Sequence, residues 1–257
     1  MTMPADAIVE LKGIGKTYET GVEALRGVSH GFPTGKLSTL LGPSGCGKTT
    51  LLKIIGGLIP ATTGEVWVEG KRVTGPGAER AFVFQDFALL PWATVLRNVA
   101  FGLELRGVPK EERFEIARKF TTEVGLSGFE SSYPHQLSGG MRQRVGLARA
   151  LTVDANIILM DEPFSSVDEQ TRRKFQEELL GLLQNRQKTV IFVTHSIEEA
   201  AYLSDRIVLL SARPGTVSQV IQPNIDRRSK TPDEIRRDKN YLDAVDQIWD
   251  VLKKYLG

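Results

Sequence analysis

A glycine-rich loop that contains one lysine is the stretch whose residues most clearly predict chemistry. It follows an apolar run at 37–41 that predicts a buried strand, and it leads into a predicted helix at residue 50. In this strand–loop–helix context, the pattern G-x-x-x-x-G-K-[ST] is typical of a phosphate-binding loop. The glycines let backbone N–H groups approach a phosphate, and the helix N-terminus adds further donors. The loop comprises Gly42, Pro43, Ser44, Gly45, Cys46, Gly47, Lys48, Thr49 and Thr50.

Two side chains of this loop are predicted to hold a nucleoside triphosphate and its metal ion. Lys48 is expected to reach the β- and γ-phosphates, and the Thr49 hydroxyl to take a ligand position on Mg²⁺. A glycine turn that binds nothing is the weaker alternative. Cys46 is the only cysteine of the sequence. We expect it to be a small filler residue rather than a redox switch.

Two acidic residues follow a run of four apolar residues at 157–160. A core strand of this kind delivers carboxylates to its C-terminal edge, where open α/β sheets bind their ligands. Asp161 is expected to hold Mg²⁺ through the water shell of the ion, since Mg²⁺ prefers oxygen ligands. Glu162 points elsewhere and can polarise an attacking water. An acidic strand end without a catalytic role is the alternative.

A serine and two glycines open a predicted helix and form a second candidate anion site. Ser138, Gly139, Gly140 and Met141 combine a hydroxyl, free backbone N–H groups and a helix dipole. One phosphate loop together with a separate phosphate-seeking helix end suggests a nucleotide shared between two copies. An ordinary helix N-cap is an equally good interpretation of these residues when they are taken alone.

The surrounding pattern predicts the elements that position these groups. Alternating residues at 8–11 and 64–70 indicate an N-terminal β lobe, whereas residues from about 89 to 150 have helical periodicity. Strands and helices then alternate from 157 to 210, which indicates a parallel sheet with helices on both faces. The sequence therefore predicts an α/β fold with a mostly parallel sheet, an N-terminal antiparallel β lobe and an inserted helical subdomain.

The bulk composition limits the possible functions. The chain has 257 residues, of which 41% are hydrophobic and 25% are charged, as in an ordinary soluble protein. A net charge of +2 is too close to neutral to indicate nucleic acid or an anionic membrane as partner. No apolar run approaches the roughly 18 residues that span a bilayer. Any membrane role must therefore depend on a partner.

The C-terminal region has a weaker pattern. Its basic residues between 227 and 239 are interpreted as a solvated linker rather than a lipid or nucleic-acid contact. An amphipathic helix follows, and docking on its own domain is favoured over a partner site. The predicted apolar stripe consists of Leu242, Val245, Ile248, Trp249, Leu252 and Leu256.

The motifs and their order resemble the nucleotide-binding subunits of ATP-binding cassette (ABC) transporters over about residues 8–221. The resemblance implies a P-loop NTPase core that binds ATP and Mg²⁺ and hydrolyses ATP. It implies an ATPase domain at 1–221, with the helical subdomain at about 89–150 inserted, and a basic linker with the amphipathic helix at 222–257. It also implies a peripheral position at the cytoplasmic face of the inner membrane.

The resemblance assigns further site residues. Tyr18 matches the aromatic residue that stacks on adenine, and His195 matches the histidine that contacts the γ-phosphate. Gln85 matches the glutamine that contacts Mg²⁺ and the attacking water, and it begins the segment that faces the permease. Asp168 lies in the loop that touches the opposite subunit. The family signature is normally Leu-Ser-Gly-Gly-Gln, whereas this chain has Met141 at the fifth position.

The implied partners are a second ATP-binding subunit, transmembrane permease subunits and, indirectly, a substrate-binding protein, with no nucleic acid. The stretches 164–172 and 203–215 and the residues Leu90-Pro91-Trp92 resemble the nitrate, sulfonate and taurine importer branch. A soluble ABC ATPase acting on nucleic acid or ribosomes, an ABC exporter subunit and a phosphotransferase with the same loop are the alternatives.

Overall fold

The computed structural model describes residues 6–184 and 186–255. They form two compact units, one made of the residues up to Gly77 with those from Leu183 onward, the other of Ala78–Leu182. The strands are β1 (Ala7–Thr17), β2 (Glu23–Pro33), β3 (Leu37–Leu41), β4 (Thr63–Val68), β5 (Lys71–Arg72), β6 (Arg80–Val83), β7 (Ile157–Asp161), β8 (Thr189–Val193), β9 (Arg206–Leu210) and β10 (Val217–Ile221). The helices are α1 (Lys48–Ile55), α2 (Val95–Leu105), α3 (Lys110–Glu123), α4 (Gly139–Thr152), α5 (Glu169–Gln184), α6 (Ile197–Leu203), α7 (Pro232–Arg237) and α8 (Lys239–Leu252).

The first unit contains two kinds of sheet. Strands β2, β1, β4 and β5 pair antiparallel in that order, which confirms the predicted antiparallel lobe. Strands β9, β3 and β8 pair in parallel, and β10 adds an antiparallel edge to β9. Every residue of β3 and β8 is buried, as expected for short apolar runs that are covered on both faces. The α/β prediction is therefore confirmed.

The second unit combines a parallel strand pair with a group of helices. Strands β6 and β7 pair in parallel with Val83 opposite Met160. Helices α2, α3 and α4 pack on one another in the stretch where the sequence predicts a helical subdomain. The boundaries of that subdomain and the division at residue 221 stay predictions. Among the described residues, no helix combines the length and apolar composition that crossing a bilayer requires.

The C-terminal region packs more closely than the sequence indicates. Arg227 is 9% exposed, so the solvated-linker interpretation is wrong for this residue. Helix α8 packs on α6 and β10, which confirms that it docks on its own domain. Its buried face consists of Tyr241, Ala244, Ile248, Val251 and Leu252, whereas Leu242 and Trp249 are 50% and 42% exposed.

The predicted stripe was therefore partly wrong in its phase. It shares Ile248 and Leu252 with the buried face of α8, but it omits Tyr241 and Ala244, which were not counted as apolar contacts. Leu256 lies outside the described residues.

A buried histidine in β2 makes stability depend on pH. His30 is 5% exposed, and burial, with the charge of Arg206 as a lesser cause, lowers its pKa to about 4. The unfolded chain, with an ordinary histidine pKa near 6.5, binds a proton that the folded chain excludes between these values. Stability should therefore fall as the pH drops from about 6.5 to 4, by up to about 3 kcal/mol from this group.

We expect His30→Leu to remove this share of the pH dependence, measured as the free energy of unfolding in urea at several pH values. His135→Gln is the matched control, because His135 is exposed. Identical pH dependence in His30→Leu and the unsubstituted chain would contradict the assignment.

Candidate nucleotide site

The phosphate-binding loop connects β3 to α1 and requires glycine for two different reasons. Gly45 and Gly47 have φ values of 73° and 101°, in the left-handed region that favours glycine. A Cβ atom on Gly42 would lie 2.8 Å from the carbonyl oxygen of Leu210, and one on Gly47 would lie 2.8 Å from that of Ala24. The loop is therefore packed against neighbouring backbone on two sides.

Lys48 lies within this loop rather than pointing away from it. Its Nζ donates to the carbonyl oxygens of Gly42 and Pro43 at 2.8 and 2.9 Å, and it lies 3.9 Å from the sulfur of Cys46. Cys46 is fully buried, and this burial raises the pKa of its thiol, although Lys48 partly opposes the shift. A buried thiol with a raised pKa is a poor nucleophile, which favours the filler interpretation over a redox switch.

Tyr18 lies beside the first turn of α1. Its hydroxyl is 2.9 Å from Oγ1 of Thr50, and its ring is partly exposed. The Nζ atom of Lys16 lies 5.3 Å from the centre of this ring. An exposed aromatic face next to the phosphate loop is suited to stacking on a nucleobase. Thr49 is half-buried at the start of the same helix.

His195 reaches the same sheet edge through strand β8. Leu40 of β3 and Val193 of β8 are opposite one another in parallel strands. The phosphate loop begins two residues after Leu40, and His195 comes two residues after Val193. Because neighbouring parallel strands end at one edge, the first unit brings His195 and the loop to the same side of its sheet.

The second unit brings Gln85 and Glu162 together in the same way, through a pair of parallel strands. They lie two residues beyond Val83 and Met160, which are opposite one another in β6 and β7. The side-chain nitrogen of Gln85 donates to Glu162 at 3.4 Å. Glu162 has a φ of 47°, which for a residue with a side chain costs about 1–3 kcal/mol and is common at functional sites. Asp161 is buried at the end of β7.

The signature residues form the first turn of α4 and pack against the loop that contains Asp168. Ser138 is the N-cap, and its hydroxyl accepts a hydrogen bond from the N–H of Met141 at 3.3 Å. A Cβ atom on Gly139 would lie 2.8 Å from the carbonyl oxygen of Ser166, whereas one on Gly140 would make only ordinary contacts. Asp168 is exposed and accepts from the N–H of Thr171, and this hydrogen bond lowers the pKa of its carboxyl.

One residue of this unit was missed by the sequence analysis. Arg149 of α4 donates to the carbonyl oxygens of Phe87 and Ala88 at 2.7 and 2.6 Å. Both of those residues have left-handed backbone angles and lie within the segment that begins at Gln85. Burial lowers the pKa of Arg149. Contacts to backbone carbonyls do not require particular residue types, so they leave no sequence motif. In the sequence, Arg149 is only a basic residue on a predicted helix.

The donor set fits Mg²⁺ bound together with phosphate. Thr49, Gln85 and Asp161 offer hydroxyl, amide and carboxylate oxygens, which are the ligands that Mg²⁺ prefers. Among the described residues, no three acidic, histidine or cysteine side chains converge on one point. The chemical types of Thr49, Gln85 and Asp161 therefore fit Mg²⁺, and their assignment to one metal site stays a prediction.

Fold and site define an ATP-binding cassette, and comparison with known proteins identifies its family. The ABC transporter family model matches residues 25–165. An uncharacterized ABC transporter ATP-binding protein of Methanocaldococcus jannaschii is 52% identical, covering 90% of this chain and 85% of the relative. The chain therefore belongs to the ABC transporter family as an ATP-binding subunit that hydrolyses ATP.

Other relatives have more specific names. The nitrate import ATP-binding protein NrtD of Synechocystis is 42% identical, covering 90% of this chain and 89% of the relative. The taurine import ATP-binding protein TauB of Escherichia coli is 49% identical, covering 81% and 82%. The solved dimer of the bacterial ABC transporter cassette MJ0796 matches with a TM-score of 0.75 at 35% identity, covering 83% of this chain and 98% of that one. A second structure of that cassette is a post-hydrolysis state bound to ADP and Pi.

The two signature glycines make a matched pair for a stability test. Gly139→Ala places a methyl group against the backbone of Ser166, which should destabilise the fold by about 1–2 kcal/mol. Gly140→Ala meets only ordinary contacts in the same helix and should be neutral or slightly stabilising. Urea unfolding of both variants measures the difference. Equal free energies of unfolding would show that the close approach at Gly139 has no effect on stability.

Proposed function

We propose that this chain is the ATP-hydrolysing subunit of a membrane importer for a small anion such as nitrate, a sulfonate or taurine. The contact between Gln85 and Glu162 is the observation that carries the catalytic part, because it joins a water-orienting amide to a candidate general base. The import part rests on the relatives that are named as nitrate and taurine import proteins. No comparison favours an exporter subunit or an ATPase that acts on nucleic acid or ribosomes.

In the proposed reaction, two protomers face one another and share ATP. Residues 42–50 of one protomer hold the phosphates through backbone N–H groups, and the turn at Ser138–Met141 of the other covers them. Lys48 and His195 stabilise the negative charge that grows on the transferring phosphoryl group. Glu162 orients and polarises the attacking water with help from Gln85. Tyr18 stacks on the adenine ring, and Asp168 contacts the opposite protomer.

Bound Mg²⁺ would neutralise phosphate charge, with Thr49, Gln85 and Asp161 as the residues that hold it.

The N-terminus of α4 would bind the phosphates of the opposite protomer's ATP through backbone donors and the Ser138 hydroxyl. Met141 cannot donate a side-chain hydrogen bond, unlike the glutamine of the usual signature. The contact made by this turn should therefore depend on Ser138, Gly139 and Gly140.

The segment after Gln85 is the proposed contact with the permease. Trp92 is 71% exposed, although a large aromatic side chain normally buries most of its surface. Exposed tryptophans of this kind are frequent anchors of protein interfaces. The permease would hold the chain peripherally at the cytoplasmic face of the inner membrane, and it would receive the substrate from a binding protein.

Glu162→Gln tests the catalytic part. The amide keeps the shape of the carboxylate but cannot act as a base, so turnover should fall by about 10²–10⁴-fold while ATP binding is retained. Light scattering should then detect a stable dimer with ATP. Glu111→Gln, an exposed acid on α3, is the control and should have normal turnover. Turnover of Glu162→Gln within about twofold of the unsubstituted chain would refute the proposed role of Glu162.

Trp92→Ala tests the contact with the permease. We expect the ATPase rate of the isolated subunit to stay unchanged, because Trp92 is exposed and is not among the residues assigned to ATP binding or hydrolysis. Affinity for the permease should fall by about tenfold or more, as for an aromatic interface anchor. Co-purification and transport in reconstituted vesicles measure this effect. Phe129→Ala, another exposed aromatic of the same unit, is the control, and an equal loss in both variants would contradict the assignment.

A further inference from the structure

Arg227 binds the C-terminal end of helix α6. Its Nε donates to the carbonyl oxygen of Tyr202 at 2.7 Å, and its Nη2 donates to those of Ala201 and Ser204 at 3.0 and 2.7 Å. Its Nη1 lies 3.8 Å from the carboxylate of Asp205. The side chain is only 5% exposed. One guanidinium group therefore satisfies three carbonyl groups that the helix end leaves without a partner within the helix.

The arrangement is strong because a buried charge meets the negative end of a helix. Burial lowers the pKa of Arg227, and the nearby Asp205 opposes this shift. The partial negative charge of helix carbonyls favours a cation at this end. Helix α6 has only seven residues, too few to be stable without tertiary contacts. Six of its seven residues are buried, and side-chain hydrogen bonds hold both of its ends, so its position depends on these tertiary contacts.

The other end of α6 is joined directly to His195. The helix N-cap is Ser196, whose hydroxyl accepts from the N–H of Glu199 at 3.2 Å. Thr194 donates through Oγ1 to the Glu199 carboxylate at 2.5 Å and accepts from the N–H of Ser196 at 3.1 Å. His195 thus lies between two residues that are tied to the first turn of α6. A shift of this helix must move the backbone of His195.

The C-terminal region has one further contact with α6, and neighbouring hydrogen bonds extend the connection. The guanidinium of Arg236 lies 4.5 Å from the ring centre of Tyr202. The side-chain amide of Asn240 donates to the carbonyl oxygen of Asn224 at 3.1 Å. Asp205, which follows α6, accepts from the N–H of Leu37 at the start of β3. The region after β10 is therefore connected directly to the helix that follows His195 and, through Asp205, to the strand that leads to the phosphate loop.

We propose that Arg227 is a positioning residue for His195. By holding the C-terminal end of α6, it keeps His195 in place at the edge of the sheet where the phosphate loop begins. The region after β10 is then part of the ATPase machinery. This inference rests on the proposed function only for its effect on hydrolysis, since the structural link to His195 can be measured separately.

The first experiment reads the environment of His195 without activity. The sequence has three histidines, so NMR of ¹³C-labelled histidine gives signals that His135→Gln and His195→Ala assign. Arg227→Gln should shift or broaden the His195 signal, and Arg227→Lys, which keeps the charge, should shift it less. Arg228→Gln, with an exposed side chain next in the chain, should leave it unchanged. An unchanged His195 signal in Arg227→Gln and in Arg227→Lys would overturn the proposal.

The second experiment measures single-turnover ATP hydrolysis by the full chain. Arg227→Gln should lower the rate of hydrolysis by about tenfold relative to the unsubstituted chain, as for a residue that acts through another residue. The KM for ATP should stay within about twofold of that of the unsubstituted chain. In the His195→Ala background, Arg227→Gln should cause no further loss of rate, because both changes impair the same function of His195. Additive losses would overturn the proposal and indicate a general structural role. If His195→Ala keeps full activity while the NMR signal still shifts, the role of His195 in the proposed function fails but the positioning by Arg227 stands.

Discussion

Parallel pairing between neighbouring strands is the constraint on which the site depends. Strands β3 and β8 pair with Leu40 opposite Val193, and β6 and β7 pair with Val83 opposite Met160. In both pairs, the phosphate loop or the functional residue comes two positions after one of these paired residues. Because parallel strands end at one edge, each pair brings the loops that follow its strands to the same edge of the sheet. Backbone hydrogen bonds between apolar strands therefore determine where the functional side chains lie.

Close backbone contacts and unusual backbone angles then shape the loops. Gly42, Gly47 and Gly139 lie where a side chain would meet a carbonyl oxygen or a packed neighbour. Glu162, Phe87 and Ala88 have left-handed angles although they are not glycine. Such angles cost free energy that the surrounding fold must supply, and they are not confined to the site, because Glu69, Asp154, Gln187 and Asn224 have them as well. At Glu162, the unusual angle affects the residue whose side-chain direction matters most for the proposed chemistry.

The sequence predicted the parts of the site whose physical role needs particular residue types at a fixed spacing. The loop from Gly42 to Thr50 and the acids at the end of β7 are of this kind, because a phosphate or a metal ion tolerates few alternatives. The face of α8 was less predictable: a stripe drawn through Leu242 and Trp249 is as regular as the true one, and the choice is made by the surface of α6. Arg149 and Arg227 could not be found at all, since their partners are carbonyl groups that every residue has.

These two arginines show a common solution to one problem. A loop or a short helix cannot be held in place by its own hydrogen bonds, because too few are formed within it. A guanidinium group has five donors in a rigid plane, so one side chain can bind several carbonyl oxygens and fix their relative orientation. Arg149 does this for two consecutive residues with left-handed backbone angles, and Arg227 does it for the end of a seven-residue helix. Burial lowers the pKa of both groups, and this desolvation is tolerated because the carbonyl partners are oriented dipoles. Burying these arginines therefore fixes the position of the backbone that they bind, rather than neutralising a charge.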